Sequence, residues 1–232
     1  RIELQVCAHA IETEGLEAWA MREIPRWIWW ARGIDVSDAK DWKELERRVT
    51  GLVEQRRIEI CTDMVGVDLE HRFTNGRGLE DALISGRALV TPFIPQAGVR
   101  TGYQIGSRRK DSLSATIYDK LRQLSTLRGA EREALLEHFR VAGWDGEQKI
   151  VRIEIRVDGT ALHLVNGQNE VVVDGRRPLA ALHDNVVQAL WHHGLAKFWI
   201  ANLDKGNARE RDNPVWMPWK IARDAARDVQ PF

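Results

Sequence analysis

Tyr118, Asp119 and Lys120 stand together at the end of a strand-like run, Leu113 to Lys120. Alternation puts Leu113, Ala115 and Ile117 on one face and Ser114, Thr116 and Tyr118 on the other. The chain has only two tyrosines, Tyr103 and Tyr118. A phenol with a free pKa near ~10 attacks poorly at neutral pH. A neighbouring cation, or a divalent ion that activates the electrophile, makes it a usable nucleophile. Lys120 is such a cation. The plainer alternative is a strand-end tyrosine half buried in a core, with Asp119 and Lys120 solvated.

A second run with chemistry in it is Arg57-Ile58-Glu59-Ile60-Cys61-Thr62-Asp63. As a strand it carries Arg57, Glu59, Cys61 and Asp63 on one face. Two carboxylates four residues apart are either solvated on an exposed sheet face or converge on a cation. The tetrapeptide Arg-Ile-Glu-(Leu/Ile) recurs at Arg1, Arg57 and Arg152. Recurrence in a chain this short implies strands in equivalent places of a sheet, and two related halves. One face would then gather Glu59, Asp63 and Glu154, the oxygen donors that Mg²⁺ or Mn²⁺ prefers. The alternative is a row of cross-strand Arg–Glu pairs, each worth well under ~1 kcal/mol.

The elements needed to position these groups can be read in order. Arg1 to Val6 alternates as a strand, and a helix is expected from about Glu14 to Trp30. Leu16, Trp19, Ala20, Ile24 and Trp27 should face inward there, with Pro25 inside the helix. Trp27, Trp29 and Trp30 either pack against the sheet or form a base-stacking platform. A second helix should start at a cap at Ser37 or Asp38 and run to Glu54. Gly66 to Gly98 is loop-rich. A hairpin follows, its first strand carrying Tyr103 and its turn basic with Arg108, Arg109 and Lys110. Leu121 to Ala142 is helical, Val151 to Val157 a strand, and Leu179 to Trp191 a helix.

Composition narrows the class. There are 34 basic and 34 acidic residues, a formal net charge of zero. That argues against a protein that coats nucleic acid without specificity, though a local basic groove remains open. Two cysteines without metal-type spacing, Cys7 and Cys61, suit free thiols in a reducing, cytoplasmic setting. No membrane-spanning run or signal peptide is visible. The chain begins without Met and inside a strand-like run, so residues are expected upstream.

In order along the chain come Arg57-Ile-Glu-Ile-Cys-Thr-Asp63, Tyr103-Gln-Ile-Gly-Ser-Arg108, Ile117-Tyr-Asp-Lys120 and Val151-Arg-Ile-Glu154. This series resembles the replication initiation factors of rolling-circle plasmids and phages. Leu190-Trp191 and Trp216-Met217-Pro218-Trp219 are similar to phage-type members. The resemblance spans nearly the whole chain, as one catalytic domain over 1–232. It implies a DNA nicking and rejoining enzyme that uses a divalent metal, Mg²⁺ or Mn²⁺. The nucleophile would be Tyr118, left linked to a 5′ phosphate, with Lys120 beside it. Metal ligands would be Glu59, Asp63, Glu154 and Asp119. Arg57, Arg108, Arg109, Lys110 and Arg152 would hold the DNA, a single-stranded or hairpin origin. A host helicase and a second copy of the chain are further partners to expect. Many family members carry Glu where this chain has Gln123, and no His-hydrophobic-His motif is present. The expected fold is α+β, an antiparallel sheet with helices on one face and a concave DNA-binding face opposite. Two other readings are a non-catalytic single-stranded DNA-binding module and a tryptophan-rich interaction domain.

Overall fold

The computed structural model describes residues 15–69, 90–93, 101–107, 112–165, 168, 170–198, 200 and 215–225. The architecture is α+β, built on an antiparallel five-stranded sheet in the order β1-β5-β4-β3-β2. The strands are β1 (Arg57–Val65), β2 (Val90–Phe93), β3 (Gly102–Gly106), β4 (Leu113–Asp119) and β5 (Ile150–Asp158). A small hairpin, β6 (His163–Val165) with β7 (Val171–Asp174), stands apart. Helices are α1 (Leu16–Arg32), α2 (Trp42–Val49), α3 (Lys120–Leu124), α4 (Ala130–Val141), α5 (Asp184–Lys197) and α6 (Met217–Ala225).

Period-two alternation makes the sheet two-faced. Ile58, Ala115, Ile117, Tyr103, Ile105, Val151, Ile153, Ile155 and Val157 form one buried layer. Leu190, Trp191 and Leu195 of α5 and Trp219 of α6 close over it. The contact between α5 and the sheet is close: a Cβ at Gly194 would overlap Ile155 Cγ2. The indoles of Trp191 and Trp219 keep their N–H groups satisfied inside this layer, donating to the Ala222 and Leu195 carbonyls.

Two satellite clusters complete the packing. Ala20, Ile24 and Ile28 of α1 meet Leu45 and Val49 of α2. Asp41, not Ser37 or Asp38, caps α2, accepting from the Glu44 N–H at 2.8 Å. That helix ends at Val49 and Gly51 follows at φ 83°, so the expected run to Glu54 is cut short. The inward stripe of α1 is shifted from the expected one. Ile28 is buried, while Trp27, Trp29 and Trp30 are 37%, 63% and 69% exposed. The expected helix over 121–142 is two helices, because Gly129 takes φ 67° between them. Their cluster, Leu124, Leu135, Leu136, Phe139 and Trp144, packs on Ile150 at the start of β5.

Two of the three Arg-Ile-Glu runs are neighbours, in β1 and β5. The third, at Arg1, lies outside the described residues, as do Arg108, Arg109 and Lys110. No described helix is long and apolar enough to cross a membrane.

Candidate active site

The polar face of the sheet carries the candidate chemistry. Antiparallel register sets it out in rows across β1, β5 and β4. Asp63 lies opposite Arg152, and Arg152 opposite Tyr118. In the next row Cys61 faces Glu154, and Glu154 faces Thr116. In the third Glu59 faces Arg156, and Arg156 faces Ser114.

Tyr118 is the β4 member of the first row and reaches toward Glu154 in the second. Its Oη lies 3.5 Å from Glu154 Oε2. Burial pushes the phenol pKa well above its ordinary value, and the Glu154 charge adds to this, while Arg152 pulls the other way. Tyr118 therefore keeps its proton at neutral pH. To act as a nucleophile it would have to pass that proton to an acceptor, and Glu154 is the carboxylate within reach. Arg152 grips Asp63 with both arms of its fork, Nε to Oδ1 at 2.7 Å and Nη2 to Oδ2 at 2.5 Å. Both side chains are 19% exposed. Such bidentate geometry is the one in which a guanidinium also binds a phosphate. Lys120 opens α3 and is 5% exposed. Its Nζ donates to Gln123 Oε1 at 2.7 Å. Burial lowers its pKa, and the nearby Arg152 lowers it further.

The proposed metal ligands are not brought together. Glu59 is drawn toward Arg156, at 3.8 Å. Both oxygens of Asp63 meet Arg152. Asp119 falls on the opposite side of β4 from Tyr118 and caps α3, accepting from the Arg122 N–H at 3.1 Å. Glu154 is left beside Tyr118. Among the described residues no three His, Cys, Asp or Glu side chains are placed to hold a metal ion. The reason is register. When two Arg-x-Glu strands run antiparallel with Arg57 opposite Asp158, each carboxylate of β1 that points to the polar face meets an arginine of β5. Among the described residues Glu59, Asp63, Glu154 and Asp119 therefore form no ready-made cage for a hard divalent ion. Of the expected DNA-contacting arginines, Arg57 lies at the far end of the face and donates to Asp158 at 2.8 Å. Arg152 lies at its centre.

The sequence reading missed one residue and the contact of another. Gly102 completes the Tyr118 row on β3. A Cβ there would overlap the Ile117 carbonyl oxygen and stand 2.5 Å from Tyr118 Cβ. Gly102→Ala is therefore expected to cost about 2 kcal/mol, because backbone must move. It should also lower any Tyr118-dependent activity by roughly tenfold or more, since a shift of a reacting group by a fraction of an ångström is enough. Thermal melting beside an activity assay checks both; an unchanged melt would contradict the packing. Gln123 was noted only as a departure from the family's Glu; its bond to Lys120 was not foreseen, and the i,i+3 spacing was the available signal.

The class defined here is an α+β protein whose antiparallel sheet presents a tyrosine, a glutamate and a forked arginine on its polar face. No family model matches the chain, and no curated protein matches it. Among solved structures it is similar to a rolling circle replication initiator protein from Geobacillus stearothermophilus, with a TM-score of 0.37 and 16% sequence identity. That match covers 82% of this chain and 62% of the other. The chain thus spans less than two thirds of the length of that initiator.

Proposed function

We propose that this protein nicks and rejoins a single DNA strand through Tyr118, in the manner of a rolling-circle replication initiator. The observation that carries the reading is the placement of Tyr118 Oη 3.5 Å from Glu154 and in register with Arg152 on one polar face. The ordered motifs around Tyr118 and Glu154 support it independently. In the forward step the Tyr118 oxygen attacks phosphorus and its proton passes to Glu154. The bond to the 3′ oxygen breaks, and that oxygen leaves with a proton from solvent. The product is a 5′ phosphotyrosine and a free 3′ hydroxyl. Rejoining is the reverse, and needs no nucleotide because the phosphodiester bond energy is kept. Arg152 and Lys120 stabilise the added negative charge on the phosphoryl oxygens. No step is routed through Mg²⁺ or Mn²⁺.

The substrate is a single strand or an extruded hairpin. Tyr118 has a short reach, and in-line attack needs about 3 to 3.5 Å to phosphorus. Opening duplex costs a few kcal/mol per disrupted step. The sequence holds no Gly-rich Lys-Ser/Thr loop with which to couple nucleotide hydrolysis to that cost. Cleavage of one origin sequence as oligonucleotide, relaxed circle and supercoiled circle tests this. The oligonucleotide and supercoiled circle should be cut and the relaxed circle spared. Equal rates on both circles would contradict the single-strand requirement. A second reading, a DNA-binding module that does not cleave, draws on the closed Arg152–Asp63 fork. It predicts binding of the oligonucleotide with no covalent product.

A further inference from the structure

We infer that Lys120 and Arg152 form a phosphodiester-binding site of the protein's own, that Gln123 keeps the Lys120 charge available to it, and that DNA is held there without a divalent ion. This rests on the reading of the polar face as a DNA site. Three observations carry it. Lys120 is a nearly buried ammonium, 5% exposed, whose hydrogen-bond partner among the described residues is a neutral amide, Gln123 Oε1 at 2.7 Å. A buried cation ordinarily has a carboxylate partner. Arg152 faces Tyr118 across the strands, two residues before Lys120, and is near enough to oppose its charge. Asp63 and Glu154 lie near enough to favour the Lys120 charge, but the hydrogen bond that Lys120 makes is to Gln123. Asp63 is engaged on both oxygens by the Arg152 fork, and Asp119 caps α3. Asp63 then acts as an internal stand-in for the phosphate. It keeps the fork planar and aimed until an oxyanion takes its place.

Glu in place of Gln123 would give Lys120 a carboxylate at the same distance. The two effects of that change have opposite signs: it gives the buried ammonium a charged hydrogen-bond partner, and it removes the charge from the DNA site. A residue serving only the fold would not produce that split.

The test uses the full chain and a fluorescein-labelled hairpin oligonucleotide in EDTA, read by anisotropy across a salt series. Wild type should bind in EDTA within about threefold of its affinity in Mn²⁺, because Lys and Arg contacts supply the charge neutralisation. Gln123→Glu should bind about tenfold more weakly while melting at an equal or higher temperature. Lys120→Met should lose similar affinity, melt no lower, and reduce the slope of log affinity on log salt by about 0.7. Loss of wild-type binding in EDTA would overturn the inference. So would wild-type affinity in both variants. Covalent product is scored in the same samples. Binding lost in EDTA, with binding and product both restored by Mn²⁺, would overturn the inference and leave the nicking reading standing. Lys120-dependent binding with no product in EDTA or Mn²⁺ would support the anion site and remove the nicking reading.

Discussion

Tyr118→Phe is expected to abolish covalent attachment to DNA, by on the order of 10³-fold or more, while the protein stays folded and binds DNA. The substitution removes one oxygen. That oxygen's hydrogen bond to Glu154 is long, 3.5 Å, so the stability change should stay within about 1 kcal/mol. Affinity should hold as well, because Arg152 is engaged by Asp63 and remains on the face when the hydroxyl is gone. Tyr103→Phe should keep attachment. Tyr103 is fully buried in the apolar layer, in register with Ile117, where no phosphate reaches. Gel-shift and denaturing-gel assays on the two variants separate binding from attachment. Attachment by the Tyr118 variant at wild-type rate would remove this residue from the chemistry.

Glu154→Gln carries the second large effect. The phenol of Tyr118 is held above its ordinary pKa by burial and by the Glu154 charge. Free phenolate is therefore scarce at neutral pH, and the proposed reaction needs Glu154 to take the proton as the bond forms. Losing a positioned base costs about 10²- to 10⁴-fold. The sign of the residual pH dependence follows. Without Glu154 the reaction must draw on preformed phenolate, whose fraction rises about tenfold per pH unit below the phenol pKa. The variant's nicking rate should climb on that slope through the alkaline range. The wild-type rate should be flatter over the same range. A single-turnover pH series on both proteins checks this. A variant as flat as wild type would show that Glu154 is not the proton acceptor.

Much of the frame was legible in the sequence because it depends on alternation within single strands. The polar sides of β1, β4 and β5 follow directly from the spacing of Arg57, Glu59 and Asp63, of Ser114 and Tyr118, and of Arg152 and Glu154. What faces what across strands was not legible. Register is set by long-range pairing, and only in the folded sheet does Arg152 fall opposite Asp63 and Arg156 opposite Glu59. The convergence of Glu59, Asp63 and Glu154 was inferred from shared faces alone, and in the folded sheet Glu59 and Asp63 meet arginines. Asp119 was misplaced for a local reason. One residue after Tyr118 it belongs to the other side of the strand, and the start of α3 recruits it as a cap. The phase of α1 was also out of reach. Apolar residues surround the helix, and only contact with α2 selects Ile28 over Trp27 for burial. Gly102 gave no signal because its role is the space it leaves for Tyr118.

The most direct measurement is the location of the DNA adduct. The protein is incubated with a hairpin oligonucleotide and digested with nuclease and trypsin, and the nucleotide-bearing peptide is sequenced by mass spectrometry. Trypsin separates the two tyrosines, releasing Tyr103 within 101–108 and Tyr118 within 111–120. The account predicts a phosphotyrosyl link at Tyr118, in the peptide Asp-Ser-Leu-Ser-Ala-Thr-Ile-Tyr-Asp-Lys, joined to the 5′ phosphate of the cut strand. A link at Tyr103 or at any serine, or cleaved DNA with no protein attached, would contradict it.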